Sequence, residues 1–184
     1  MSQAATMTDL RPAVSDLEQA IRNVPDFPKP GIQFKDITPL LADARLFAGS
    51  IQLLTQGYKP GMVDAVVGID ARGFIFAAAA AINLQAGFVP VRKKGKLPFQ
   101  ILEQDYALEY GLATVAVHAD ALKPGSRVLL IDDLLATGGT AAAAAALVER
   151  LGATILEISF LIELSFLGGR NKLKRYPVRS LVVY

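Results

Sequence analysis

Runs of near-continuous apolar residues alternate with alanine-rich runs through most of this chain, and that alternation leaves few folds open to it. "VDAVVGID", "GFVPVRK", "RVLLIDD", "ATILEISFLIEL" and "SLVVY" each read as a strand. Strands of this kind are buried on both sides, which is the habit of a parallel sheet whose crossover helices cover its faces. "RGFIFAAAAAI" and "GTAAAAAALVERLG" supply such helices, and alanine is the best helix former. Small side chains also let a helix sit close to a sheet. The expected class is α/β, a mainly parallel β-sheet flanked by helices on both faces. "LATVAVHAD" adds one more strand, with His118 an ordinary member of its alternation.

The N-terminal part is less regular. Leu17, Ile21 and Val24 fall at helical spacing, so a helix is expected over Ala13 to Val24, with Ser15 as N-cap and Glu18 three residues on. "PDFPKPGIQFKDITPLL" holds four prolines and a glycine in seventeen residues and reads as an irregular loop with few conformations open to it. Long ordered loops are usually functional. Asp43 can cap a helix running from Ala44 to about Tyr58. Leu97 to Gly111 is polar and poorly periodic, placed between two strands.

Composition removes several functions. At 184 residues without an internal repeat, the chain reads as one domain, 1–184. A net charge of +2 is too small a bias for nucleic acid or a membrane surface, so neither is an expected partner. No cysteine is present, which excludes disulfides and thiolate zinc sites, and one histidine excludes an imidazole-rich metal site within one chain. The most membrane-like run, Ile75 to Val91, is broken by Asn83, Gln85, Gly87 and Pro90. "MSQAATMTDLRPA" lacks the basic start and apolar core of a secretory signal, so the cytoplasm is the expected compartment.

In a parallel sheet, ligands sit at the carboxyl ends of strands. Three such ends carry unusual chemistry: "GIDARGF", "VRKKGKLP" and "DDLLATGGT". Ala136, Thr137, Gly138, Gly139 and Thr140 join a strand to a helix start, where unpaired amides point outward and the dipole is positive. The glycines let the backbone wrap an anion, and the threonines add hydroxyl donors. A phosphomonoester fits that cup, which has neither the lysine of a Walker loop nor a dinucleotide glycine fingerprint. Adjacent strand residues face opposite ways, so Asp132 and Asp133 cannot both aim at the cup. Carboxylates accept hydrogen bonds from hydroxyls, and a ribose offers two neighbouring ones. The combination reads as a ribose-5-phosphate binder.

"VLLIDDLLATGGT" resembles the phosphoribosyl pyrophosphate signature of type I phosphoribosyltransferases, in the Leu-Leu-Ala form of the members that act on adenine. The resemblance continues through "PDFPKPGIQFKDITPLL", "GIDARGF", "VRKKGKLP" and "YALEYG", covering about Asp26 to Leu167. It implies the type I phosphoribosyltransferase fold, with an N-terminal base-binding hood over about 1–40 and a flexible catalytic lid over about 97–111. It also implies a reaction, adenine plus 5-phosphoribosyl 1-pyrophosphate giving AMP and pyrophosphate, in a homodimer.

The same resemblance distributes roles. Asp132 and Asp133 would hold the ribose, and Ala136 to Thr140 the 5-phosphate. Asp70, Ala71, Arg72 and Gly73 would bind pyrophosphate in a turn that can hold a cis peptide, with Arg72 stabilising the leaving group. Arg92, Lys93, Lys94 and Lys96 crowd five positions, a positive field suited to a polyphosphate. Glu109 matches the acid that faces the purine and can take its proton, and Tyr106 and Tyr110 lie on the same lid. Mg²⁺ would be carried mainly by substrate oxygens and water. Phe34 would stack on adenine while the main chain around Gln33 and Lys35 reads its edge. Gln33 stands where relatives commonly carry an aliphatic residue; its amide can bond the base or face solvent. Two other readings stay open, a transferase of this fold for another purine and a phosphoribosyl-pyrophosphate-sensing regulator without turnover.

Overall fold

The computed structural model describes residues 12–107 and 111–184. The chain divides into two compact units, one ending at Leu53 and the other running Leu54–Tyr184.

In the first unit, α1 (Val14–Ala20) is shorter than its apolar spacing suggests. Its cap is Ala13, whose amide donates to Asp16 Oδ2 at 3.1 Å; Ser15 lies inside the helix. The chain then turns extended as β1 (Arg22–Pro25), which pairs antiparallel with β2 (Gln33–Asp36). The proline-rich stretch is thus partly a hairpin and not wholly a loop. Proline can sit at a strand end without breaking the ladder, and here Pro25 pairs opposite Gln33 at the end of β1. The connection has a cis Phe27–Pro28 bond, and the Gly31 amide donates to Asp26 Oδ1 at 2.7 Å. Next come α2 (Thr38–Ala42) and α3 (Ala44–Leu54). Asp43 caps α3 as expected, accepting from the Leu46 amide at 2.9 Å.

The second unit is built on a seven-stranded sheet. Its strands are β3 (Ala65–Ile69), β4 (Gly87–Lys93), β5 (Ile101–Ala107), β6 (Leu112–His118), β7 (Arg127–Leu135), β8 (Thr154–Glu163) and β9 (Val178–Val183). They lie in the order β5-β6-β4-β3-β7-β8-β9. The five strands from β4 to β9 are parallel; β6 joins antiparallel to β4, and β5 antiparallel to β6. All five residues of β3 are buried, as a central strand requires.

Helix α4 (Gly73–Leu84) and helix α5 (Gly139–Arg150) cover opposite faces. Alternation along β3 shows this: Val67 and Ile69 join the cluster formed with Ala141, Ala144 and Leu147 of α5. Gly68 faces the other way, where a Cβ would come within 2.6 Å of Ala77 on α4. The alanines therefore do what small residues do best, letting helix backbone approach the sheet closely. The segment expected to be an irregular lid is in part the strand β5; its bond from Thr114 Oγ1 to Asp105 Oδ1, 2.7 Å, ties it to β6. Glu103 and Asp105 share one face of this strand, and on the other Gln104 stands between Leu102 and Tyr106, which dilutes the apolar period and is why it reads as loop. Among the described residues, no helix is long and apolar enough to cross a membrane.

Candidate active site

The strand order changes direction between β3 and β7, since β4 lies on one side of that pair and β8 on the other. Such a switch point opens a crevice at the carboxyl ends of its strands. The turn after β3 and the loop after β7 both end there.

The β7 side comes first. Helix α5 begins at Gly139, with Gly138 as N-cap at φ 76, and no side chain caps it. Its first intrahelical bond is Ala142 N to Gly138 O at 3.0 Å, so the amides of Gly139, Thr140 and Ala141 precede the helical ladder. Asp132 and residues 134–141 line a cavity of about 70 Å³ at this point. Uncapped amides and a positive helix end around a small cavity are chemistry suited to an anion. The expected cup, Ala136 to Thr140, is one contiguous surface.

On the β3 side, the Asp70–Ala71 peptide is cis. Arg72 is the N-cap of α4 and Gly73 its first residue. Gly73 lies so close to β7 that a Cβ would strike Asp132 Oδ1 and come within 3.1 Å of Asp132 Cα. Arg72 Nε stands 2.7 Å from Asp133 Oδ2. That oxygen is buried and receives no aligned N–H, so the contact is an ion pair and not a directed hydrogen bond. The two acids thus divide as their alternation requires: Asp132 borders the cavity, and Asp133, 7% exposed, meets the guanidinium.

Burial pushes both carboxyls up. For Asp132, the negative charge of Asp133 adds to burial, and it stands well above the usual carboxylate range. For Asp133, burial is opposed by Arg72, whose charge favours the ionised form. We take Asp133 as the ionised member, since it has the cation.

The basic run after β4 is partly committed. Arg92 Nε donates to Asp70 Oδ2 at 3.3 Å and its Nη1 to the Lys96 carbonyl at 3.1 Å, which fixes the turn after β3 from the neighbouring strand. Lys94 pairs with Glu103 of β5 at 3.1 Å. Lys93 and Lys96 are exposed. Tyr106 packs its ring beside the start of α5, its Cδ2 3.0 Å from where a Gly139 Cβ would stand. Glu109 and Tyr110 lie outside the described residues.

Gln33, Phe34 and Lys35 lie on β2 of the first unit. Phe34 meets Phe27 edge-on with ring centroids 5.1 Å apart. Gln33 Oε1 accepts from Asn23 Nδ2 at 2.7 Å, so the amide that sequence left between base and solvent is tied across the hairpin.

Sequence reasoning missed one group. Arg170, in the 3₁₀ turn Gly169–Leu173, donates to Glu163 at the end of β8 through Nε at 2.9 Å and Nη2 at 2.7 Å. A charged residue closing the apolar run "ISFLIE", with "GGR" close behind, was the available signal.

A family model for the phosphoribosyl transferase domain matches residues 33–181. An adenine phosphoribosyltransferase of Acidothermus cellulolyticus is 60% identical over 162 residues, covering 88% of this chain and 92% of that protein. One of Roseiflexus sp. is 52% identical over 170 residues, covering 92% and 99%. The crystal structure of adenine phosphoribosyltransferase from Rhodothermus marinus matches with a TM-score of 0.88 at 51% identity, covering 93% of this chain and 98% of that one. The Saccharomyces cerevisiae structure, complexed with an imino-altritol bisphosphate and adenine, matches at 0.84 and 40% identity over 91% and 97%.

Proposed function

The chain belongs to the phosphoribosyltransferase family, on its adenine phosphoribosyltransferase branch, and from that premise we propose how its residues carry the reaction. Adenine and 5-phosphoribosyl 1-pyrophosphate give AMP and pyrophosphate, a salvage of free purine base. The observation that carries the residue roles is the uncapped start of α5 beside Asp132, around a cavity of the size of a phosphate group.

The amides of Gly138 to Thr140 hold the 5-phosphate, and the acids at the end of β7 accept the ribose hydroxyls. Adenine N9 then bonds to the anomeric carbon while the carbon–oxygen bond to pyrophosphate breaks and its electron pair leaves with the oxygen. Positive charge grows on the ribose and negative charge on the leaving group. The turn Asp70 to Gly73 and the basic residues Arg92, Lys93 and Lys96 meet that negative charge. Such preorganised charge acts without reorganisation, usually the largest share of catalysis. The Arg72–Asp133 pair holds the guanidinium in place before substrate arrives. Glu109 takes the proton that N9 loses, and the segment around Tyr106 and Tyr110 covers the site from water.

Among the described residues, no three His, Asp or Glu side chains cluster as a metal cage. The donor set is two acids at the end of β7, one of them bound to Arg72, which suits a magnesium ion carried by phosphate oxygens and water. Bound there, Mg²⁺ would neutralise charge on the pyrophosphate, with Asp132 the side chain placed to hold its water shell. Adenine is read by the main chain of Gln33 and Lys35 and the face of Phe34. A main-chain reader offers a fixed donor and acceptor pattern, which penalises a 6-oxo purine.

A homodimer joined through α4 belongs to the same reading, as does work in the cytoplasm. On α4, Ile82 is 81% and Ile75 40% exposed, an apolar surface suited to a second copy. Identity of 60% over most of the chain favours adenine over another purine and an enzyme over a sensing regulator. The test is a base panel with phosphoribosyl pyrophosphate and Mg²⁺, following pyrophosphate release. Turnover with adenine alone supports the proposal; turnover with hypoxanthine or guanine in its place contradicts it.

A further inference from the structure

The phosphate loop has a back wall. Gly138 is the residue on which α5 starts, and a Cβ there would strike the Gly169 carbonyl oxygen and lie 3.1 Å from Gly169 Cα. Seen from the other side, a Cβ on Gly169 would strike the Ala136 carbonyl and lie 3.0 Å from the Gly138 amide nitrogen. Two backbones therefore touch with no side chain between them. The loop contributes Ala136 and Gly138, and the 3₁₀ turn after β8 contributes Gly169.

What holds that turn in place is the next residue. Arg170 forks onto the Glu163 carboxylate, with Nε 2.9 Å from Oε1 and Nη2 2.7 Å from Oε2. Its remaining reach goes to β9, Nη1 to the Val178 carbonyl at 3.0 Å and Nη2 to Ser180 Oγ at 3.2 Å. Glu163 is 5% exposed and sits between β7 and β9, in register with Leu135 and Val183. The next amide, Leu164, donates to the Leu135 carbonyl at 2.9 Å, one residue before the phosphate loop starts. A planar fork on a buried carboxylate fixes direction as well as distance.

We propose that Glu163 and Arg170 are positioning residues for the 5-phosphate. Their fork sets Gly169 against Ala136 and Gly138, and so fixes where the loop amides point. Neither side chain touches the substrate. The proposal rests on the reading that Ala136 to Thr140 bind the sugar phosphate. It explains why a buried acid stands at the end of β8 and why residue 169 is glycine.

The experiment measures ribose 5-phosphate affinity by calorimetry, together with kcat and both KM values, for Arg170→Lys, Gly169→Ala and Gly138→Ala. Arg170→Lys keeps the charge and loses the fork. It should weaken ribose 5-phosphate binding about tenfold and raise KM for phosphoribosyl pyrophosphate by a similar factor. KM for adenine and kcat should move less than about twofold, a split that general loosening of the fold would not give. Gly169→Ala should show the same split with a larger factor, and melting curves establish that each variant is folded. If Gly169→Ala does not fold, Arg170→Lys decides alone. Wild-type ribose 5-phosphate affinity in Arg170→Lys and Gly169→Ala, with binding lost in Gly138→Ala, overturns the positioning role and leaves the phosphate loop standing. Wild-type affinity in all three removes the phosphate-loop reading and this proposal with it.

Discussion

Arg72 and Asp133 meet at 2.7 Å, Nε against Oδ2, and their contact ties the start of α4 to the end of β7. The turn expected to hold pyrophosphate and the strand end expected to hold ribose are thereby one electrostatic unit. Asp133→Asn removes the charge that holds the guanidinium while keeping size and shape. It should lower kcat/KM about a hundredfold, ~2.7 kcal/mol of transition-state stabilisation. Steady-state kinetics with both substrates checks this, alongside a circular-dichroism spectrum that should match wild type.

Asp132 should make stability depend on pH in the opposite sense to an ordinary surface acid. Its carboxyl stands well above the usual range because of burial and the charge of Asp133. A group that holds its proton more tightly when folded stabilises the fold fully below its unfolded value, about 3.9. That contribution is lost as pH rises through the folded value. Asp132→Asn should therefore melt with the wild type at acid pH and above it at pH 8. Part of the side chain still borders the open cavity, so the gain is held to ~1 kcal/mol, about 2–4 °C. Melts of the ligand-free protein from pH 4 to 8 test it.

How much of this was legible beforehand follows from where the physics is local. "GFVPVRK" is β4 residue for residue, and Asp43 caps α3, because period and capping act within a few positions. The pairing of β1 with β2 was hidden by prolines, whose effect on the ladder depends on which strand faces solvent. β5 was hidden because Gln104 interrupts its apolar face between Leu102 and Tyr106, leaving too short a pattern to read until the strand is paired with β6. The loop from Ala136 to Thr140 was readable as a motif, since a helix start dictates its own chemistry. Arg72 was readable as a cation but its partner was not, because Asp133 comes from another strand end. Gly169 carries no sign of its neighbour until the sheet sets β8 beside β7.

The apolar surface of α4 makes a prediction about assembly. Ile82→Asp puts a charge on a side chain 81% exposed in the single chain, so the folded protomer should be unaffected. If α4 pairs with a second copy, that charge is buried unpaired and the dimer should fail, at about 3 kcal/mol or more per interface. Light scattering behind size exclusion should give the monomer mass for Ile82→Asp and twice that mass for wild type. A wild-type monomer would remove the homodimer from the account.

Glu109 is assigned the proton that adenine loses. Glu109→Gln keeps a hydrogen-bonding group of the same length but cannot accept that proton. kcat should fall by about a hundredfold or more, with KM for phosphoribosyl pyrophosphate changed less than about threefold. Equal losses in both parameters would mark Glu109 as a binding residue. The acid limb of the pH–kcat profile should also disappear in the variant, because the group that must be ionised is gone.

In the proposed function, the start of α5 grips the terminal phosphate of a ribose whose diol meets the acids of β7. A crystal structure with AMP measures it directly. Phosphate oxygens should lie within hydrogen-bonding distance of the Gly138, Gly139 and Thr140 amides, with the 2′- and 3′-hydroxyls at Asp132 or Asp133. AMP bound at another place, with the loop from Ala136 to Thr140 making no contact to phosphate, would contradict it.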